Sequence, residues 1–205
     1  MKIYDSDIRS LLFQSFLEID DYIGCEDTIV INELDVCSGI SRADIVVING
    51  KMHGYEIKSS QDNLSRLSQQ MQSYNRIFDT MKIVASESHI QHIIDLVPDW
   101  WGLLCATKCQ GEIKLETIRA GLRNESVDYK SVASLLWRDE MLELLATHTG
   151  TLKGYKSKSR FDLSGIIADI IDTTIIEDYV RSSLKARSTW RAVRLQQLGD
   201  DLHRM

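Results

Sequence analysis

The chain has 205 residues and a mass of 23.4 kDa, which suits one domain with an extension and a core that needs no disulfides. It is 43% hydrophobic and 26% charged, which excludes a collagen, a disordered tail or a coiled-coil array. The longest apolar runs are too short to span a bilayer. Because no export signal precedes the four cysteines, we expect a cytoplasmic protein with reduced thiols and no membrane partner.

Charge is unevenly distributed along the chain. The net charge is −6, with a balance of −9 over residues 1–150 and +3 over residues 151–205. The acidic surplus of the first part provides carboxylates for metal binding, and the basic bias of the second part suits contact with phosphate. Ordinary solvated surfaces show differences of the same size, so the charge pattern alone does not decide between these interpretations.

Hydrophobic periodicity predicts helices and strands in alternation. Apolar residues at helical spacing predict a helix over 6–22, and branched residues predict three strands after it, with Asn49-Gly50 as a hairpin turn. A helix with Asp62 as its N-cap is expected over 62–79. The remaining predictions are a strand over 82–86, a helix over 88–96, a hairpin over 102–118, and helices over 132–146 and 166–184.

This order of elements predicts the fold class. Strands that alternate with helices indicate an α/β protein with a central mixed sheet flanked by helices. The strand signal ends after Gly121, so we expect a core over residues 1–120 and a helical C-terminal extension over 121–205.

A group of charged residues on two neighbouring strands is the strongest chemical signal. Asp44 begins one apolar strand, and Glu56 and Lys58 lie two positions apart on the next. Side chains alternate along a strand, so Glu56 and Lys58 share one face while Ile57 faces the core. Two carboxylates beside an ammonium group suit Mg²⁺ or Mn²⁺ and the stabilisation of charge on a phosphodiester. An exposed ion pair of an edge hairpin is the plainer alternative.

Two segments resemble the PD-(D/E)XK nuclease superfamily. They are Arg42-Ala43-Asp44 followed by Glu56-Ile57-Lys58, and Gln70-Met-Gln-Ser-Tyr74 on the next helix. The resemblance covers roughly residues 5–118, and Ala43 stands where many members have proline. It implies a restriction-endonuclease-like core and a Mg²⁺-dependent nuclease, with Mn²⁺ as a substitute ion.

The resemblance also implies roles for individual residues. Asp44, Glu56 and the carbonyl of Ile57 would bind the metal, and Lys58 would be the catalytic cation. Gln70 and Tyr74, four positions apart on one helix face, would support the site and contact a nucleic-acid strand. The further carboxylate that the family often uses is Glu33, with Glu18 as the competing choice. Arg42 would contact phosphate or pair with a nearby acid.

The function expected from this resemblance is hydrolysis of DNA phosphodiester bonds in repair, recombination or defence, in a phage or mobile-element context. The alternative is a non-catalytic adaptor on the same fold that binds nucleic acid or protein. Two basic clusters near the C-terminus suit either a nucleic-acid backbone or plain solvent: Lys153, Lys156, Lys158 and Arg160, and Lys185, Arg187, Arg191 and Arg194. The C-terminal helices are also candidates for a homodimer or partner-protein interface.

Overall fold

A computed structural model describes residues 2–187 and 192–202 of the chain. Its central feature is a seven-stranded mixed sheet with the strand order β6-β5-β4-β3-β2-β1-β7. The strands are β1 (Ile29–Val36), β2 (Ser41–Ile48), β3 (Met52–Lys58), β4 (Thr80–Ser86), β5 (Gly102–Cys109), β6 (Glu112–Arg119) and β7 (Ala192–Arg194). The helices are α1 (Asp5–Phe16), α2 (Asp20–Ile23), α3 (Leu67–Tyr74), α4 (Glu87–Ile94), α5 (Tyr129–Ala133), α6 (Arg138–Thr149), α7 (Arg160–Ile170), α8 (Thr173–Ala186) and α9 (Leu195–Leu202).

The strand directions explain why the sheet is mixed. β1, β2 and β3 form an antiparallel meander. β3, β4 and β5 run parallel, with α3 and α4 in the crossover connections, and β6 returns antiparallel to β5. β7 adds antiparallel to the free edge of β1, so the end of the chain returns to the N-terminal half of the sheet. The α/β class and the mixed sheet are therefore confirmed.

The helices are shorter than their apolar periodicity predicts. The helix expected over 62–79 begins at Leu67, because Asp62 Oδ2 accepts the backbone N–H of Ser59 at 2.7 Å and so caps a loop. The helix expected over 6–22 ends at Phe16, and α2 follows separately. A new N-cap at Asp172, whose side chain accepts from the backbone of Thr174, divides the helix expected over 166–184.

Helices cover both faces of the sheet. On one face, strand residues pack against α1, with Ile8, Leu12 and Phe16 buried beside Val47 and Tyr55. On the other face, α3 and the helices α5 to α8 share one continuous apolar cluster with the strands. The C-terminal helices therefore share one hydrophobic core with the sheet. Within the residues described, no helix is both long and apolar enough to cross a membrane.

Candidate functional site

The strands β2 and β3 separate at Asp44, and the side chain of this residue fills the gap. The pairing between β2 and β3 ends at Ile45 and Tyr55. Beyond that pair, Asp44 Oδ2 accepts the backbone N–H of Ile57 at 2.7 Å. The carboxylate thus replaces the backbone partner on β2 that Ile57 lacks. It also brings Asp44 next to Glu56, the neighbour of Ile57 in the chain.

Glu56 and Lys58 form a buried ion pair on β3. Lys58 Nζ lies 2.5 Å from Glu56 Oε1, and the two side chains are only 6% and 2% exposed. This confirms that both side chains share one face of the strand, but the pair is internal, so the interpretation as an exposed edge pair is wrong. Ile57 is buried on the opposite side, as predicted. A buried pair of this kind stays stable only when the remaining donors and acceptors are also satisfied.

Gln70 and Tyr74 on α3 complete that hydrogen bonding. Gln70 Nε2 donates to Glu56 Oε1 at 2.5 Å, and its own Oε1 accepts from Lys58 Nζ at 3.0 Å. The hydroxyl of Tyr74 lies 2.8 Å from Glu56 Oε2 and 2.7 Å from the carbonyl oxygen of Arg42. Both oxygens of Glu56 therefore accept hydrogen bonds from neighbouring side chains. Since Tyr74 is fully buried, it supports Glu56 from inside the core.

The electrostatics of Asp44 follow from its burial. Loss of solvent, the larger cause, and the negative charge of Glu56 together raise the pKa of Asp44 from its ordinary value of 3.8 to about 7. The N–H of Ile57 and the ammonium group of Lys58 oppose this shift and only partly compensate for it. Near neutral pH, Asp44 is therefore divided between its protonated and its charged form.

Glu33 and Arg42 form a separate ion pair on the neighbouring strands. Arg42 Nε lies 2.6 Å from Glu33 Oε2, and Arg9 Nη2 lies 3.5 Å from Glu33 Oε1. Glu33 has a positive φ of 60°, at the point where the pairing of β1 with β2 is interrupted. Two guanidinium groups thus compensate its charge. Glu18 is exposed beyond the end of α1, away from this pair.

An open polar cleft of about 330 Å³ lies over these residues. Asp44, Glu56, Ile57, Lys58 and Gln70 line it, together with Asp5, Asp35, Gly39, Ile40, Ser41, Arg42, Asp62, Arg66 and Gln69. The cleft brings together the predicted residues Asp44, Glu56 and Lys58, but Glu33 is not among its walls.

Most of the carboxylate oxygens that would bind a Mg²⁺ ion in this cleft accept hydrogen bonds from the protein. Glu56 already accepts three side-chain hydrogen bonds, and Asp44 Oδ2 accepts one from the backbone. Across residues 2–187 and 192–202, no group of three or more His, Cys, Asp or Glu side chains is arranged to hold a metal ion. A divalent ion at Asp44 and Glu56 would compete with these hydrogen bonds, so metal binding stays a prediction.

A second cavity, which the sequence analysis missed, opens on the other side of the turn between β1 and β2. Its volume is about 350 Å³. The residues around it combine apolar and cationic side chains, namely Cys37, Ser38, Ile40, Arg76, Asp128, Lys130, Ser131, Ser134, Met141, Arg160, Phe161 and Ser164. Lys130 Nζ lies 3.6 Å from the ring centre of Phe161, and Phe161 is 70% exposed. The sequence signal for this cavity was the aromatic residue Phe161 directly after the basic segment 153–160.

The two connections that flank α6 contain further basic residues and a second exposed ring. We call these residues, together with the cationic and aromatic residues of the cavity, the basic face; it consists of Arg76, Lys130, Trp137, Arg138, Lys153, Lys156, Lys158, Arg160 and Phe161. Arg160 Nη2 donates to the carbonyl oxygens of Ser134 and Leu136, both at 2.9 Å, which holds the start of α7 against the α5–α6 connection. Arg138 donates to the carbonyl oxygen of Lys156 and so holds the lysine-rich loop beside α6.

Two residues of the late basic cluster are paired with carboxylates of the protein. Lys185 Nζ lies 2.7 Å from Asp27, and the guanidinium group of Arg187 is buried against Glu140 and over the ring of Trp137. A phosphate contact by either side chain would compete with these ion pairs. Arg194 is exposed, and Arg191 lies outside the described residues.

Comparison with known proteins gives one family. The family model described as bacteriophage P4 protein cII matches residues 10–202 of the chain. Protein cII of Enterobacteria phage P4 is 24% identical over 161 residues, which cover 78% of this chain and 60% of that relative. The chain therefore spans less than two thirds of the length of its curated relative. No solved structure matches the chain.

These matches correct the sequence-based prediction of family and activity. The assignment to the PD-(D/E)XK superfamily is wrong, because the match along nearly the whole chain is to a different family. The nuclease and enzyme predictions depended on that assignment and are wrong with it. The carboxylate–lysine pattern is short enough to arise by chance, and here it forms a hydrogen-bonded network in which Glu56 is fully engaged. The phage context is confirmed, since the chain belongs to the bacteriophage P4 protein cII family.

Proposed function

We propose that the chain is a non-catalytic nucleic-acid-binding protein that contacts single-stranded DNA through the basic face. The observation that carries this proposal is the exposed ring of Phe161 with Lys130 Nζ at 3.6 Å, at the mouth of a cavity that Arg76 and Arg160 also line. A ring for stacking beside cations for phosphate is the combination that single-stranded nucleic acid requires.

Local charge favours phosphate even though the whole chain is acidic. The basic face contains seven Lys and Arg residues, whereas the net charge of the chain is −6. Asp128, an acid in the cavity wall, is engaged as the N-cap of α5, where it accepts from Lys130 N and Ser131 Oγ. Phosphate contacts by lysine and arginine release counterions, so the affinity should fall steeply with salt.

The exposed rings favour a single strand over a duplex. Phe161 is 70% exposed and Trp137 is 51% exposed, so part of each ring is open to solvent. Unpaired bases present faces that can stack on such rings, and one stacked base contributes about 1–3 kcal/mol. In a duplex the bases already stack on one another.

In this proposal the Asp44–Glu56–Lys58 network has a structural role. Gln70 and Tyr74 join α3 to β3 through Glu56, which fixes the position of the helix over the sheet. The antiparallel β1–β3 meander followed by parallel β4 and β5 supports a restriction-endonuclease-like arrangement as a proposal about the fold alone. Fold does not imply activity.

Fluorescence anisotropy with a labelled single-stranded oligonucleotide and the matching duplex tests the proposal. We expect tighter binding of the single strand, and an affinity that falls as salt rises. Phe161→Ala should weaken binding roughly 5- to 100-fold, the equivalent of losing one stacked base. Lys156→Ala with Lys158→Ala should reduce the salt dependence.

Lys51→Ala is the matched control, because Lys51 is an exposed cation on the β2–β3 turn and lies outside the basic face. Its binding should equal that of the wild type. The proposal fails if the wild type does not bind either oligonucleotide, or if Lys51→Ala weakens binding as much as the variants of the basic face.

A further inference from the structure

One edge of the sheet is long, regular and open. β6 lies at the end of the strand order and runs over eight residues, Glu112–Arg119. Among the strands of residues 2–187 and 192–202, none pairs with its outer edge. Unpaired backbone groups along such an edge form a template for another strand. The opposite edge, β7, has only three residues.

The hairpin that precedes β6 determines which backbone groups point outward. Gln110 and Gly111 form a two-residue turn with φ values of 53° and 94°, as in a type I′ turn. Such a turn closes on a hydrogen-bonded pair, here Cys109 and Glu112. Because bonded and non-bonded pairs alternate, Lys114 and Glu116 also bond to β5. The N–H and C=O groups of Ile113, Leu115 and Thr117 are therefore directed away from the sheet.

We propose that β6 pairs antiparallel with β6 of a second copy, centred on Leu115. In this register Leu115 and the partner's Leu115 form a hydrogen-bonded pair, because both direct their backbone groups outward. Ile113 then faces the partner's Thr117. The two sheets join into one continuous sheet across a two-fold axis, which is the commonest symmetry of protein dimers.

Charge complementarity identifies a second copy as the occupant. In the register centred on Leu115, Lys114 lies opposite the partner's Glu116, and the two-fold axis repeats the contact. These are non-hydrogen-bonded positions, where opposite side chains approach most closely. Each opposite-charge pair contributes roughly 0.2–1 kcal/mol. A register centred on Ile113 also pairs opposite charges, but its overlap extends into the turn and is shorter.

The side chains on β6 suit such a joint. Glu112, Lys114 and Glu116 are exposed on one face, so their ends are free to reach a neighbouring strand. On the other face, Ile113 and Leu115 are half-buried and pack on the cluster that contains α1. A partner strand would cover the side of these two residues that now faces water. This dimer is independent of the basic face, and it would place two such faces in one particle.

Sedimentation velocity over a range of concentrations tests the dimer with the full chain. We expect the wild type to show a reversible, concentration-dependent dimer. Lys114→Glu opposes glutamate to glutamate at both contacts and should weaken the dimer. The double variant Lys114→Glu with Glu116→Lys exchanges the charges and should restore it. Glu125→Lys, a charge change at an exposed position outside β6, should leave it unchanged.

Leu115→Pro provides a second test, because proline removes an outward N–H and leaves the bonds of Lys114 and Glu116 to β5 in place. This variant should be monomeric with an unchanged circular dichroism spectrum. A wild type that stays monomeric at all concentrations overturns the proposal. So does a dimer that survives Lys114→Glu, or a double variant as weak as Lys114→Glu alone; a surviving dimer would point to another surface such as the C-terminal helices.

Discussion

Asp44 Oδ2 accepts the backbone N–H of Ile57 at 2.7 Å, and this bond joins β2 to β3 where the two strands have separated. It holds a half-buried carboxylate beside the Glu56–Lys58 pair, so that loss of solvent and a like charge act on Asp44 together. The consequence is a cluster whose charge state changes near neutral pH.

The first prediction concerns the pH dependence of stability. The folded state raises the pKa of Asp44 from 3.8 to about 7, so it binds this proton more tightly than the unfolded state does. The contribution of the protonated Asp44 carboxyl to the free energy of unfolding is therefore fully present below about pH 4 and is lost as pH rises through 7. Asp44→Asn keeps an acceptor for Ile57 and removes the charge. We expect it to raise the free energy of unfolding at pH 8 by roughly 2–4 kcal/mol.

Urea unfolding of both proteins between pH 4 and pH 8 checks this expectation. The difference between Asp44→Asn and the wild type should grow with pH and level off above 7. Asp35→Asn is the control, because Asp35 is an exposed carboxylate of the same cleft. A difference that stays constant with pH would contradict the assignment to Asp44.

The second prediction concerns the buried ion pair. Lys58→Met removes the ammonium group and leaves the Glu56 carboxylate buried, which should destabilise the protein by about 3–5 kcal/mol. Glu56→Gln with Lys58→Met removes both charges and should cost less than Lys58→Met alone. Chemical denaturation of the two single variants and the double variant measures the coupling. Additive effects would show that the two groups do not interact.

The third prediction concerns divalent metal. Lys58, Gln70 and Tyr74 already donate to Glu56. We therefore expect the substitution Asp44→Asn to leave any binding of Mg²⁺ or Mn²⁺ at millimolar concentration unchanged. Calorimetric titration of the wild type and Asp44→Asn with each ion makes the comparison. Saturable binding that Asp44→Asn abolishes would show instead that the ion can displace Lys58 and that the cleft is a metal site.

Much of the sheet was predictable from local pattern. β1, β2, β3 and the β5–β6 hairpin follow from branched residues at a period of two and from turn residues between them, properties that neighbouring positions determine. The helix ends were harder to predict, because apolar spacing begins directly after Asp62 and continues across Asp172, while both side chains bond to local backbone. An Asp in such a stretch caps a helix or a loop with the same side-chain chemistry.

The candidate site, too, was predictable in part from local pattern and in part not. The pattern Glu56-Ile57-Lys58 requires that the two charged side chains share a face, and the structure confirms it. The same residue pattern does not determine which groups bond to Glu56, since that depends on where α3 places Gln70 and Tyr74. The family resemblance inferred from this pattern is wrong, because nearly the whole chain matches a different family.

The amino-acid sequence alone determined the order of strands and helices and the face on which each strand residue lies, because steric periodicity acts between neighbouring residues. Tertiary packing alone decided that both oxygens of Glu56 accept hydrogen bonds from α3 and that Lys130 lies against Phe161, 31 positions further along the chain. Contacts between distant residues depend on how the helices pack on the sheet, and burial in turn determines whether a charge binds a partner within the protein or faces water.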